Sequence, residues 1–221
     1  GAKKGNVWRA LKNPNIFVIA IVCGICNFAY IAFTFWMTPY LTFCAGYSAT
    51  AASGLSVVYA ITGGLGQIFW GSFADKFGAK RTLIINCIWL VIGFYLMQYI
   101  NISIVALVGL QLFLGCCSNA VYPIMYKFLA DSSDEGSVVV GNGIMTTLMF
   151  FGAAIATSLI GVLIELGGGW NEMSGYMTGV YVMAGSMIVA LLLVIFFTRE
   201  TNGPKFKKDF SLVSLKSCNL E

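Results

Sequence analysis

Six stretches of this chain are apolar for the length that a helix needs to cross a lipid bilayer, ~20 residues at 1.5 Å each. They run approximately from Asn15 to Leu41, Ala51 to Ala74, Thr82 to Ile100, Ser103 to Leu129, Val138 to Ile164 and Met173 to Phe197, each bounded by charge or by turn residues. Backbone N–H and C=O groups that face hydrocarbon must be bonded within their own segment. The six runs are therefore expected as helices packed in a bundle, an all-α membrane protein with its connections outside the lipid. Composition agrees, since 58% hydrophobic and 10% charged residues, with a mean hydropathy of +0.84, leave too little polar surface to clothe a soluble core.

The connections sort by charge. Lys3, Lys4, Arg9 and Lys12 precede the first run; Lys76, Lys80 and Arg81 lie between the second and third; Lys127 closes the fourth; Arg199, Lys205, Lys207, Lys208 and Lys216 follow the sixth. With six crossings, all thirteen basic residues fall on one side, and the connections around Gly46, Asn101 and Gly168 hold none. Basic residues are retained on the cytoplasmic side, so both termini are expected there. Trp36, Tyr40, Tyr47, Tyr99 and Trp170 gather at the opposite ends and Trp8 and Trp70 at the basic ones, as interfacial aromatics do. The expected division is an interfacial lead-in (1–14), a six-helix bundle (15–198) and a cytoplasmic tail (199–221) of a multi-pass protein of a bacterial inner membrane. Val7, Trp8 and Leu11 alternate with Arg9 and Lys12, a pattern that fits a short helix on the membrane surface or a solvated linker. The chain opens on Gly1 rather than Met, which points to a piece of something longer.

Several chemistries lack their parts. There is no histidine, so metal sites and Ser-His or Cys-His catalysis lose their usual base, and no enzyme activity, cofactor or metal is expected. Seven cysteines are an odd number, and Cys23, Cys26, Cys87, Cys116 and Cys117 lie inside apolar runs as small hydrophobes. Cys23-Gly-Ile-Cys26 spells C-x-x-C, but a redox pair needs a thiolate near water and this one lies in mid-run. A channel would want a re-entrant filter or a ring of charge. A nucleic-acid partner is not expected; a small solute and the bilayer are.

Small residues mark places where helices come close. Thr62-Gly-Gly-Leu-Gly66 and Gly152-Ala-Ala-Ile-Ala156 offer small-x-x-x-small faces, and Pro123 is expected to kink the fourth run.

One connection carries far more than a reversal needs. Trp70-Gly-Ser-Phe-Ala-Asp75-Lys76-Phe-Gly78-Ala-Lys80-Arg81 places four charges in seven positions between two apolar runs. Topology alone accounts for the bases but not for Asp75 or the two glycines. Gly71 would let a neighbouring helix approach, Asp75 would meet a helix N-terminus or an arginine, and Gly78 would permit φ > 0 in the turn. Asp131, Asp134 and Glu135, before the fifth run and on the same side, are the expected acidic partners of Lys76, Lys80 and Arg81.

This segment resembles the G-x-x-x-D-[RK]-x-G-[RK]-[RK] signature of the major facilitator superfamily, which follows the second helix of each six-helix half. Ala79 stands where the pattern often has a base. Thr198-Arg199-Glu200-Thr201 resembles the P-E-[ST] tail after the twelfth helix, and the lead-in through Trp8 to Pro14 resembles the entry to the seventh. The resemblance, covering residues 7 to 203, implies the C-terminal half, a 3+3 pseudo-repeat, of a twelve-helix alternating-access fold whose N-terminal half is a partner. It also implies that the charged cluster latches a cytoplasmic gate.

The resemblance implies that solute-binding residues come from the first, second, fourth and fifth helices. The polar candidates there are Asn27, Tyr30 and Thr34; Tyr59; Gln111, Asn119 and Tyr122; Asn142 and Thr146. Asn27, Tyr30 and Thr34 share one helical face by their i, i+3, i+7 spacing, as do Gln111, Ser118 and Tyr122 by their i, i+7, i+11 spacing. Interhelical hydrogen bonding would turn many of the same groups inward without any solute. No acid lies within a run, so a symporter would take its protonatable group from the other half or from a connection. Lys127 could attract an anion or could snorkel to the surface. Trp36-Met-Thr-Pro39-Tyr40-Leu41 resembles the W-x-P-x-Y-L ending of the organic anion:cation symporter branch, with one more residue between Trp and Pro, which implies a sugar or organic anion as solute. The rival to a transporter half is a six-helix subunit that transports nothing.

Overall fold

The computed structural model of the protein describes residues 13–133 and 137–201. Six helical spans are long and apolar enough to cross a membrane: Pro14–Cys44, Ala49–Phe77, Ala79–Tyr99, Ile104–Ser132, Val138–Leu166 and Met173–Phe197. Each overlaps its expected run, and polar residues cap several of the N-terminal ends. Asn13 accepts from the Asn15 N–H at 3.0 Å with Pro14 at the first helical position, and Ser48 and Ser103 cap the second and fourth spans in the same way.

Which spans touch which is set by the small residues. The first span packs mainly on the fifth and the second on the fourth, while the third and sixth lie together behind the first and fourth. Exchanging spans one to three for spans four to six leaves this pairing unchanged. Each triplet crosses three times, so the two triplets run in opposite directions, an inverted repeat. The tightest glycine contacts obey the same exchange: a Cβ on Gly152 would run into the Gly24 carbonyl, and one on Gly66 into the Cys116 carbonyl. The two small-residue faces expected from sequence are thus the contacts that fix the two strongest pairs.

The fourth span is broken. Helix Ile104–Ser118 ends and helix Val121–Ser132 begins across Asn119 and Ala120. Pro123 has no N–H to give the Asn119 carbonyl four residues back, and the Tyr122 N–H closes on that carbonyl instead at 3.3 Å. Asn86 of the third span donates to the Cys117 carbonyl at 3.1 Å, so the break is supported by a buried side chain. The first span ends in one π-helical stretch, Tyr40–Cys44, directly after Pro39.

Candidate functional site

Two clusters assemble, one at mid-depth and one at the basic end. At mid-depth the Tyr122 hydroxyl donates to Asn27 Oδ1 at 2.5 Å, and Asn27 Nδ2 donates to the Met149 carbonyl of the fifth span at 2.7 Å. Tyr30 stacks on Tyr59 with ring centroids 5.9 Å apart and meets Tyr122 edge-on at 6.4 Å. Phe33 backs the group, 4.7 Å from Tyr59 and 5.8 Å from Phe94 of the third span. Four spans, the first, second, fourth and fifth, therefore meet here, with the third behind Phe33.

The other candidates divide. Asn119 sits in the break, its amide against Gly63, where a Cβ would displace it. Thr34 is exposed one turn beyond Tyr30 and donates to the Tyr30 carbonyl at 2.9 Å. Asn142 and Thr146 are half-buried on the fifth span, and Asn142 Oδ1 has no partner among the described residues. Gln111 is fully buried with neither amide atom bonded, and the break between Ser118 and Tyr122 ends the continuous face expected for those three residues.

The basic end is arranged differently from the sequence expectation. Asp75 meets neither a helix N-terminus nor an arginine but Lys127, at 3.2 Å, and Lys127 also meets Asp131 at 3.3 Å. Lys127 is therefore a bridge between the second span and its own helix end. Lys80 does not reach Asp131; its ammonium donates to the Ile195 carbonyl at 3.1 Å and the Thr198 carbonyl at 2.5 Å, filling acceptors left open at the end of the sixth span. Arg81 pairs with Glu200, Nε to Oε2 at 3.9 Å, and its backbone N–H donates to the same oxygen at 3.3 Å. Lys76 is exposed and pairs with none of the described residues, while Asp134 and Glu135 lie outside them.

Gly78 has φ +94°, and a Cβ there would also strike the Glu200 carboxylate, so two independent reasons favour glycine. At Gly71 a Cβ would only touch Pro123 at 4.0 Å; the close approach expected there is made by Gly63 and Gly66 instead.

Residues that the sequence left unmarked tie this end together. Asn15 Oδ1 accepts the Arg199 N–H at 2.8 Å while its amide donates to Ser132 Oγ and the Arg199 carbonyl, each at 3.3 Å, and Asn13 donates to the Ser132 carbonyl at 2.7 Å. The signal was two asparagines flanking Pro14 at the mouth of an apolar run.

A comparison with protein families also gives a match. The model for the Major Facilitator Superfamily matches residues 19–217. The chain belongs to the major facilitator superfamily. It is accordingly a multi-pass membrane protein of a transporter family, and its fold is consistent with half of the superfamily fold. No curated protein matches the chain.

Proposed function

We propose that this chain is the C-terminal half of a secondary-active transporter that moves a small polar solute, a sugar or an organic anion, by alternating access. The observation that carries the reading is the mid-depth cluster, in which the Tyr122–Asn27 hydrogen bond joins polar side chains of the first and fourth spans beside Tyr30 and Tyr59. Polar groups at membrane depth belong on a solute path or in an interface, not against lipid. An N-terminal half as partner is supported by two further features. The most apolar windows of the second and fifth spans are only 22% and 17% buried, against 67% for the first. Gln67, near the middle of the second span, is exposed with no bonded partner among the described residues. The basic end faces the cytoplasm of a bacterial cell, in accord with the distribution of lysine and arginine.

In this reading the Asp75–Lys127–Asp131 bridge and the Lys80 and Arg81 contacts with the sixth span form the gate latch. Such pairs are individually weak at exposed sites, so a latch of a few can open without a large barrier.

The test is uptake by the intact polypeptide in proteoliposomes, over neutral sugars and organic acids, with and without a proton gradient. Accumulation driven by the gradient supports a coupled transporter; no uptake of any solute favours a non-transporting subunit. Asp75→Asn is expected to slow turnover more than it weakens solute binding, and lost binding with normal turnover would remove the latch.

A further inference from the structure

The mid-depth cluster narrows the solute class. We propose that the Tyr30, Tyr59 and Tyr122 face takes an uncharged pyranose, its C–H face laid on the Tyr30 ring and its hydroxyls bonded at the Asn27–Tyr122 edge. The inference rests on the transporter reading above and chooses between its two solute classes.

This half offers an anion no counter-charge at mid-depth. Every charged side chain among the described residues lies at one end of the bundle or the other: Asp75, Lys76, Lys80, Arg81, Lys127, Asp131, Arg199 and Glu200 at the basic end, Glu165 and Glu172 at the far end. The cation nearest in sequence to the cluster, Lys127, is five residues past Tyr122 and already held between two carboxylates. An ionised solute at mid-depth would be stripped of water and meet no counter-charge from this half.

Shape favours a ring. Tyr30 is half-buried, with Tyr59 stacked at 25° between ring planes and Tyr122 set at 88° to it, which leaves a flat apolar surface bordered by a phenol edge. A pyranose has a matching apolar face, and its hydroxyls both donate and accept. Along this edge the Tyr122 and Thr34 hydroxyls, their protons given to Asn27 and to the Tyr30 carbonyl, keep lone pairs to accept with, and the Asn27 amide keeps a second N–H to donate. An open-chain polyol carries the hydroxyls without the flat face, and a uronate adds a charge that the site does not meet.

The experiment uses the intact polypeptide in proteoliposomes with labelled glucose, galactose and mannose, their uronates, their alditols and uridine. At least one hexose is expected to enter roughly ten-fold faster than its uronate and its alditol, the ratio that about 1.4 kcal/mol of discrimination yields. Tyr30→Ala is expected to weaken that uptake roughly three- to ten-fold more than Tyr30→Phe, because the ring and not the hydroxyl supplies the platform. Equal or faster entry of a uronate, uptake confined to uridine, or equal losses in the two variants would overturn the inference and leave the transporter reading standing. No uptake of any kind would overturn both.

Discussion

The two ends of this bundle are closed by different chemistry. At the basic end, spans are joined by ion pairs and by side chains that fill open backbone groups: Lys127 to Asp75 and Asp131, Lys80 to the end of the sixth span, Arg81 to Glu200, Asn15 to Arg199. At the far end the closure is aromatic. Trp36 stacks on Tyr40 at 4.5 Å and donates its indole N–H to the Tyr176 carbonyl at 2.9 Å, Tyr40 meets Tyr176 at 5.5 Å, and all three rings are fully buried. Gly167 and Gly175 bring the backbones of the fifth and sixth spans into contact beside them. Buried, interlocked rings lose contact enthalpy as soon as they part, whereas charges that water already reaches in part can exchange partners with it at lower cost. On the alternating-access proposal, the basic end is the one to be undone and remade, and the far end of this half moves as one piece.

Substitutions at the two ends can break that contrast. Trp36→Ala is expected to have the largest effect, lowering stability by about 3 kcal/mol or more in a detergent-solubilised unfolding measurement, since it removes a buried ring from three neighbours. Asn15→Ala follows at about 1–3 kcal/mol, because it leaves the Arg199 N–H without its acceptor. Lys127→Gln should lower stability by about 1 kcal/mol or less, with the loss shrinking as salt is raised. Arg81→Gln, at a side chain that is 75% exposed, should stay within about 0.5 kcal/mol. If the last two exceeded the first in low salt, the basic end would be the fixed one and the contrast would be reversed.

The spans and the family were legible because each rests on a signal confined to one segment. Apolar length gives a crossing, and Asp75 to Arg81 is a contiguous pattern. Pairings were not legible, because they depend on how helix ends converge. Asp131 was expected opposite Lys80 and Arg81, but the sixth span ends beside those bases, and its unbonded carbonyls and Glu200 claim them first. Asp75 was left to Lys127, which the inner helix of the fourth span delivers to it. The mid-depth cluster was legible in part. Asn27, Tyr30 and Tyr122 were marked by their polarity within apolar runs, and the structure brings them together with Tyr59. Gln111 looked equivalent by spacing, yet that reasoning assumed a continuous helix, and Pro123 had already ended it.

The break in the fourth span makes a short rod of Val121–Ser132, with Tyr122 near one tip and Lys127 five residues along. At 1.5 Å per residue the two groups are ~7–8 Å apart along a single rigid body. On the alternating-access proposal, a tilt of this rod that lifts the phenol from Asn27 also draws the ammonium away from Asp75 on the second span, while Asp131 travels with it, so an event at the centre of the membrane is felt at the water boundary with no intervening messenger.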